Sequence, residues 1–241
     1  MPTAVVTGAG IRIGKAIALA LAEVGYDLAL HAHRSTEGAE EIAGRARALG
    51  RTATVYRADL GTPREVESLA ATLREAHPAI DVLVNNAGLF ERLAFEDITR
   101  EHYHRMMGIN LEAPFFLTQG LLPALRAAPH PLVVNLTDIG AERAESHYAH
   151  YSVSKAGLIM LTRALAVELA PQVRVNAISP GTVVFPEDFD EAARQAILAR
   201  IPLGRVGSAE DVARVVVFLA REAPYISGQV IAVDGARNAQ L

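Results

Sequence analysis

Between its first apolar run and its first helical pattern, the chain carries Thr7-Gly8-Ala9-Gly10-Ile11-Arg12-Ile13-Gly14. Glycines at a strand-to-helix turn let the backbone turn tightly and approach a pyrophosphate, which then binds the amides and positive dipole of the helix N-terminus. A glycine-rich turn can also be a tight connection and nothing more. Its place after the first strand of a βαβ pattern favours a dinucleotide site, with candidate contacts from Gly8, Arg12, Ile13 and Gly14.

Apolar runs of strand length alternate with stretches of helical period along the rest of the chain. The strand-like runs are Ala4–Val6, Asp27–His31, Thr52–Tyr56, Val82–Val84, Leu132–Leu136, Val173–Ile178 and Gln229–Val233. The helical stretches include Gly14–Val24, Glu37–Leu49, Pro63–Ala76, Thr99–Leu125, Ser154–Leu169 and Ala209–Leu219. This alternation predicts an α/β fold, a Rossmann-type doubly wound parallel sheet of about seven strands with helices on both faces. We expect one domain over residues 1–241, since no linker or repeat interrupts the pattern.

The composition excludes several classes of function. Hydrophobic residues make up 51% of the chain and charged residues 21%, which is enough apolar material for a large core. The formal net charge of -4 disfavours nucleic acid as a partner, because phosphate-backbone binding depends on a basic surface. The absence of cysteine excludes disulfides and thiolate catalysis. We expect a cytoplasmic protein without a membrane span, since neither a secretory signal pattern nor an apolar run of about 18 residues occurs.

Three further features bear on the surroundings of the site. The segment Val183 to Arg200 is the least regular, and we expect it to form a mobile excursion over the site. The close histidine pairs His102/His104 and His147/His150 lack the glutamate-flanked pattern of a zinc helix, so we expect no metal. The apolar helical stretch Ala156–Leu169 indicates packing against the sheet or against another subunit.

The end of the second predicted strand indicates which dinucleotide binds. An NAD-binding protein of this kind places an acidic residue on the ribose 2'-hydroxyl, about 20 residues beyond the last glycine. This chain has His33-Arg34-Ser35 there, with Arg12 available from the glycine turn. Cations and a hydroxyl suit a 2'-phosphate, although both arginines could also be ordinary surface residues. We therefore expect NADPH as the cofactor.

Two other strand ends supply candidate cofactor contacts. Asp59-Leu60 follows the third strand and could cover the adenine edge, or Asp59 could simply cap the next helix. Asn85-Asn86-Ala87-Gly88 follows the fourth strand, where small and amide side chains can line a nucleotide without blocking it. Asparagine with glycine is also common in plain turns, and only the place at a strand end favours a role for Asn86, Ala87 and Gly88.

The string Tyr151-Ser152-Val153-Ser154-Lys155 places a phenol and an ammonium one helical turn apart on one face. Such an ammonium lowers a phenol's pKa from its ordinary value of about 10, so that the phenol can exchange a proton near neutrality. Only Lys15 and Lys155 are lysine among the 23 basic residues, so chance is a poor explanation of the pair. Tyr151 and Lys155 are therefore candidate catalytic residues.

The chain resembles the short-chain dehydrogenase/reductase family over essentially its whole length. The matching elements are the glycine turn, Asp59-Leu60, Asn85 to Gly88, Asn110, Tyr151 with Lys155, Pro180-Gly181, Ile226-Ser227-Gly228-Gln229 and Val233-Asp234-Gly235. The resemblance implies hydride transfer to or from a nicotinamide, with Tyr151 as acid or base. It further implies Lys155 on the nicotinamide ribose, Asn110 holding a water that relays protons to Lys155, and Pro180 and Gly181 at the cofactor. It also implies a homo-oligomer, a dimer or tetramer.

One position departs from the family pattern. Asp138 stands where the family normally has a serine before the tyrosine. Its carboxyl could hydrogen-bond Tyr151 and, when protonated, help to deliver a proton to a ring nitrogen. Alternatively, Asp138 is a helix or turn cap and Thr137 takes over the role of the serine hydroxyl.

This departure is similar to one branch of the family, the pteridine reductases, which include short-chain dihydromonapterin and dihydrofolate reductases. Other marks of the branch are Arg12-Ile13-Gly14, the string His31-Ala32-His33-Arg34-Ser35, and Phe90 after Asn85-Asn86-Ala87. The resemblance implies a pterin substrate stacked on Phe90, with Arg12 and Asp138 at its polar edge and Tyr151 as proton donor. Gly88, Leu89 and Asp234-Gly235-Ala236 depart from the branch.

Two other functions remain open. An ordinary carbonyl reductase, for a 3-oxoacyl thioester or a sugar ketone, would use Thr137 in place of the serine. A non-catalytic NADPH-binding sensor would need none of Tyr151, Lys155 and Asn110, and their presence disfavours it.

Overall fold

A computed structural model describes residues 1–183 and 190–239 of the chain. Seven strands form one parallel sheet in the spatial order β3-β2-β1-β4-β5-β6-β7. Their bounds are β1 Thr3–Val6, β2 Asp27–Ala32, β3 Ala53–Arg57, β4 Val82–Asn85, β5 Leu132–Leu136, β6 Arg174–Pro180 and β7 Val230–Val233. The predicted doubly wound sheet is confirmed, and its order reverses between β1 and β4, where such sheets open a crevice for ligands.

Eight α-helices connect these strands in the described part of the chain. They are α1 Arg12–Glu23, α2 Thr36–Ala48, α3 Pro63–Ala76, α4 Arg100–Met107, α5 Ala113–Ala127, α6 Ala149–Glu168, α7 Glu191–Leu198 and α8 Ala209–Arg221. The stretch predicted as one helix over Thr99–Leu125 is interrupted by a π-helical turn at Gly108–Glu112. Such turns insert an extra residue into a helix and occur frequently at functional sites.

Two hydrophobic clusters cover the two faces of the sheet. On one face α1 packs against α8 and the sheet through residues such as Leu21 and Val216, both fully buried. On the other face α3 and α5 supply Leu73 and Leu121, also fully buried. Each such leucine stabilises the fold by about 1.5–3 kcal/mol relative to an exposed one, so both layers are firmly held. No described helix is long and apolar enough to cross a membrane.

The parallel arrangement directs every strand's carboxyl end to one edge of the sheet, and the predicted site residues follow those ends. The predicted excursion over Val183–Arg200 falls partly on residues 184–189, which lie outside the described residues. Beyond them the chain forms α7, an ordered helix, and both Val183 and Arg200 line the cavity at this edge.

Candidate active site

The glycine turn after β1 brings three backbone segments into contact. A Cβ on Gly14 would overlap the Gly8 carbonyl oxygen, and one on Gly10 would overlap the carbonyl oxygen of Ser35. Both positions therefore require glycine, because no side chain fits between the turn and its neighbours. The N-cap residue of α1 is Ile11, whose apolar side chain cannot accept a hydrogen bond from the helix amides. Those amides and the helix dipole are directed at the turn, which suits a phosphate.

Arg12 opens α1 in a left-handed conformation, with φ of 50°. For a residue with a Cβ, this left-handed conformation costs about 1–2 kcal/mol. Its side chain is exposed and lines the cavity described below. Strained non-glycine residues concentrate at functional sites, where the side chain repays the cost.

His31, on β2, is a structural partner of the turn that the sequence analysis did not single out for this role. Its Nδ1 accepts a hydrogen bond from the Gly8 N–H at 3.3 Å, and its Nε2 donates to the Ala58 carbonyl at 3.0 Å. Burial lowers the pKa of His31 below its ordinary value, which favours the neutral ring that this pair of contacts requires. His31 thus ties the glycine turn to the end of β3. The signal available in the sequence was a polar residue inside an otherwise apolar strand.

Thr7 joins the glycine turn to the end of β4. Its hydroxyl accepts the N–H groups of Asn86 and Ala87, both at 2.9 Å, and lies 3.2 Å from the Val84 carbonyl. In return, the Asn86 side chain donates to the Thr7 and Gly8 carbonyls at 2.8 and 3.2 Å. Asn86 and Ala87 are therefore held against the glycine turn by a reciprocal set of hydrogen bonds.

His33, Arg34 and Ser35 lie together at the end of β2, beside the end of β3. Arg34 is exposed, and His33 Nδ1 lies 3.7 Å from Asp59 Oδ1. Asp59 closes its own turn by accepting the Gly61 N–H at 2.9 Å, and Leu60 is buried in the core. The carboxylate is thus engaged locally, and any contact from Leu60 to a nucleotide runs through its backbone.

A cavity of about 860 Å³ opens at the carboxyl edge of the sheet. The structure brings many of the predicted site residues to its wall: Arg12, Ile13, Asn86, Gly88, Phe90, Thr137, Asp138, Tyr151, Lys155, Pro180 and Gly181. His33, Arg34, Ser35, Asp59 and Leu60 are not among its lining residues and lie at the strand ends to one side. A volume of this size suits a small-molecule or cofactor site.

Asp138 combines the two roles that were weighed for it. Its Oδ1 accepts the Gly140 N–H at 2.6 Å and so caps the short 3-10 turn Ile139–Ala141, and its carboxyl interacts electrostatically with the phenol of Tyr151. Burial raises the pKa of this carboxyl above its ordinary value. The residue is therefore both a cap and a direct neighbour of the phenol.

Tyr151 is buried, and its surroundings favour the protonated phenol. Burial raises its pKa well above the ordinary value, and the charge and hydrogen bond of Asp138 raise it further. The expectation that Lys155 lowers this pKa is wrong for this arrangement, because burial of the phenol and the nearby Asp138 carboxylate raise it. The Lys155 Nζ lies 5.9 Å from the centre of the Tyr151 ring and donates instead to the Leu136 carbonyl at 2.8 Å.

Lys155 and Asn110 meet at Gly88. A Cβ on Gly88 would lie 3.3 Å from Asn110 Oδ1 and 3.4 Å from Lys155 Nζ, so glycine keeps this corner open. Asn110, at the centre of the π-helical turn, accepts the Leu89 N–H at 2.7 Å and donates to Ser154 Oγ at 3.0 Å. Burial lowers the pKa of Lys155 to about 8, so that its ammonium can exchange a proton near neutral pH.

Thr137 is turned away from the phenol. Its hydroxyl donates to the Ile178 carbonyl at 2.9 Å, which ties β5 to β6, and the residue is 4% exposed. Of the two neighbours, Asp138 is therefore the one that interacts with the phenol.

An aromatic wall lies beside Tyr151. Phe90 is 54% exposed, stacks on Tyr148 with ring centres 4.9 Å apart, and meets the Tyr151 ring edge-on at 4.9 Å. Tyr148 was missed by the sequence analysis, although an aromatic residue one helical turn before Tyr151 was a usable signal. The arrangement offers a flat apolar surface directly beside the candidate proton donor.

Comparison with known proteins places this geometry in a family. The family model described as Enoyl-(Acyl carrier protein) reductase matches residues 8–236. The chain belongs to the short-chain dehydrogenase/reductase family. A 3-oxoacyl-(acyl-carrier-protein) reductase of Aggregatibacter actinomycetemcomitans is 37% identical over 97% of this chain and 98% of its own length. A 2-dehydro-3-deoxy-D-gluconate 5-dehydrogenase of Bacillus subtilis is 36% identical over 97% of this chain and 93% of its own.

Solved structures of this family agree on the fold and on the class of cofactor. A short-chain dehydrogenase of Burkholderia cenocepacia, crystallised with NADP, is 32% identical and superposes with a TM-score of 0.92 over 98% of each chain. This short-chain dehydrogenase/reductase is accordingly an oxidoreductase that uses a nicotinamide dinucleotide.

Proposed function

We propose that this short-chain dehydrogenase/reductase uses NADPH to reduce a carbon–nitrogen double bond of a pteridine, with Tyr151 as proton donor. The observation that carries the proposal is the position of Asp138 and Tyr151 on one cavity wall, where the charge of the Asp138 carboxyl raises the pKa of the phenol and burial raises the pKa of the carboxyl. A protonated carboxyl can donate to a ring nitrogen, and a carboxylate can accept from a ring N–H or amino group. A simple ketone offers neither pattern.

The aromatic wall supports a flat substrate. Phe90 leaves about half of its surface open beside the phenol, and its stack on Tyr148 fixes the orientation of the ring. A pteridine placed against Phe90 would gain offset-stacking contacts worth about 0.5–1.5 kcal/mol beyond burial of its area. Arg12, at the glycine-turn side of the cavity, is in place for the polar edge of such a ring.

The residues at the glycine turn and at the end of β2 fit NADPH. Gly10 and Gly14 keep the turn free of side chains, and the amides of the first turn of α1 suit the pyrophosphate. The cations and hydroxyl of Arg12, Arg34 and Ser35 suit a 2'-phosphate. When bound, NADPH supplies the hydride.

Reduction of the double bond adds a hydride to carbon and a proton to nitrogen. Tyr151 is protonated at neutral pH, since its pKa lies above the ordinary value of a phenol, and its O–H is the donor of that proton. Lys155, whose pKa is about 8, can return a proton to the resulting phenolate. Asn110, held against Leu89 and Ser154, borders the corner at Gly88 through which a water could supply Lys155.

Carbonyl reduction is the second candidate function, and the relatives favour it. Those reported above are named for a 3-oxoacyl group on acyl carrier protein and for a sugar acid, and they match nearly the whole chain. The same phenol and lysine would serve a ketone oxygen. The hydroxyl of Thr137, however, is committed to Ile178, so this reaction too would depend on Asp138.

We extend the proposal to the assembly: a single domain over residues 1–241 that forms a dimer or tetramer. Val153, Met160 and Val167 are exposed apolar side chains on α6, and Phe115 and Phe116 are exposed on α5. Two helices with uncovered apolar side chains support a contact between copies of the chain.

The test is the loss of NADPH absorbance with 7,8-dihydrobiopterin and dihydrofolate, beside NADH and beside acetoacetyl thioesters. We expect rapid, NADPH-specific turnover of a dihydropterin, loss of that turnover in Asp138→Ala, and its survival in the neighbouring Thr137→Ala. Tyr151→Phe should bind NADPH without turnover. Turnover of the acetoacetyl thioesters alone would contradict the pteridine proposal and support the carbonyl one.

A further inference from the structure

The cavity wall carries more positive charge than the proposed chemistry uses. Five arginines line it: Arg12, Arg92, Arg143, Arg200 and Arg237. The acidic residues on the same wall are Asp138 and Glu145. The whole chain has a formal net charge of -4, so this concentration of cations is local to the cavity.

Two of the five arginines are occupied by protein groups. Arg237 forms an ion pair with Glu145 at 2.6 Å and donates to Thr182 Oγ1 at 2.8 Å. Arg143 donates to the Arg237 carbonyl at 2.8 Å. These contacts hold the C-terminal segment against the loop after β5, and they consume the Glu145 carboxylate.

Arg92 and Arg200 are not occupied in this way. Both side chains are exposed, and in residues 1–183 and 190–239 neither has a carboxylate within ion-pair distance. Arg92 lies 3.2 Å from Nδ1 of His147, a neutral or weakly basic partner rather than a carboxylate. The proposed NADPH and ring contacts use Arg12 and do not use these two residues.

Both residues line the cavity with exposed side chains. Arg92 lies two residues beyond Phe90 in the segment after β4, and Arg200 lies just beyond the end of α7. A ring stacked on Phe90 would therefore have its substituent in a cavity whose wall carries two guanidinium groups without a carboxylate partner among residues 1–183 and 190–239. Guanidinium forks match carboxylates and phosphates in geometry as well as charge.

We infer that the substrate carries an anionic tail, bound by Arg92 and Arg200 while its ring lies against Phe90. This inference rests on the proposed function for the location of the ring. Carboxylates of a glutamate-like tail and phosphates of a carrier arm share the required chemistry, and the experiment separates them.

The experiment compares matched substrates with and without the tail. Dihydrofolate, which carries carboxylates, is paired with 7,8-dihydrobiopterin, whose side chain is neutral. Acetoacetyl coenzyme A, which carries phosphates, is paired with ethyl acetoacetate. Values of kcat/KM are measured with NADPH for the wild type and for Arg92→Gln/Arg200→Gln. The control is Arg126→Gln, an exposed arginine in the last turn of α5, a helix that leads to the opposite edge of the sheet.

For the pterin pair we expect the double variant to lose roughly tenfold in kcat/KM for dihydrofolate, mainly through KM, and less than about twofold for dihydrobiopterin. High salt should reduce the wild-type advantage of dihydrofolate, since these charges are exposed. If the double variant loses kcat/KM only for acetoacetyl coenzyme A, and neither pterin is reduced, the result would support the binding of an anionic tail and overturn the pteridine function.

Equal losses for tailed and tailless substrates, or no loss in either pair, overturn the inference while leaving the proposed reaction standing. If none of the four is reduced, calorimetry of folate and biopterin binding to the protein decides. Folate must then bind more tightly than biopterin in the wild type and lose that advantage in the double variant, or the inference falls.

Discussion

The carboxyl of Asp138 shares the wall of the cavity at the carboxyl edge of the sheet with the phenol of Tyr151, and its charge raises the pKa of that phenol. The pairing raises the pKa of the phenol, and burial raises the pKa of both groups. Two acids in contact titrate as a unit rather than independently. The pair therefore holds a proton ready for donation at neutral pH, which is the state that a reductase requires.

Replacing Asp138 with asparagine is expected to stabilise the protein while destroying its proposed activity. A carboxyl with a raised pKa contributes stability that is present below the ordinary value and is lost as pH rises through the folded value. At pH 7 the native state therefore bears a cost that asparagine removes, and its amide oxygen can still cap the Gly140 N–H. We expect unfolding in urea to give a gain on the order of 1 kcal/mol at pH 7, shrinking towards pH 4. A loss of stability at pH 7 would contradict the raised pKa.

Lys155 is expected to control the stability of the protein between about pH 8 and pH 10. Its folded pKa is lowered to about 8 by burial, so the unfolded state binds more protons in this window and stability rises with pH. Above it, the raised pKa of Tyr151 acts in the opposite direction, because the folded state then keeps the phenol proton. In Lys155→Met the rise should disappear. The free energy of unfolding is measured at pH 8 and at pH 10 for both proteins. Its increase from pH 8 to pH 10 should be larger in the wild type than in Lys155→Met by about 2 to 3 kcal/mol.

An unchanged slope in Lys155→Met would show that other groups produce the pH dependence. The conservative variant Lys155→Arg serves as a control. Its guanidinium stays protonated throughout this range, so it should also lack the rise while keeping a cation in place.

Much of this site could be predicted from the sequence, and the shortfalls have physical causes. Tyr151 and Lys155 were identified because helical spacing fixes a shared face whatever the tertiary context. The direction in which the Tyr151 pKa is shifted could not be predicted. It depends on how far the phenol is desolvated and on the Asp138 carboxyl, and neither can be derived from spacing. Thr137 and Asp138 are adjacent in extended backbone just beyond the end of β5, so their side chains point in different directions. Only the structure shows which one faces the phenol.

The fold itself was predictable because buried parallel strands are short apolar runs between amphipathic helices. What escaped prediction was long-range polar contact. His31 reaches Gly8 and Ala58 across the sheet, and Thr7 reaches Asn86 and Ala87, and no local pattern encodes these pairings. The π-helical turn at Asn110 was missed because hydrophobic periodicity does not register one inserted residue.

Removing the Phe90 ring should weaken substrate binding without lowering the stability of the fold. In Phe90→Ala we expect kcat/KM for a dihydropterin to fall roughly tenfold, because the stacking surface and its contact with Tyr148 are lost. The melting temperature should change little, since the ring is 54% exposed. The matched control is Phe95→Ala, a 78% exposed phenylalanine that is not among the residues lining the cavity. Equal losses in both variants would remove Phe90 from the substrate site.

Charge reversal at Arg34 should change the preference between the two dinucleotides. Arg34→Glu places a carboxylate where the 2'-phosphate is proposed to bind, and it would also suit a ribose hydroxyl. We expect the ratio of kcat/KM for NADPH over NADH to fall by about 10- to 100-fold, mainly through KM for NADPH. The control is Arg45→Glu, at an exposed arginine near the other end of α2. It makes the same change in net charge and should leave the ratio unchanged. A constant ratio in Arg34→Glu would mean that the 2'-phosphate is held elsewhere, and Arg12 would then be the residue to reverse next.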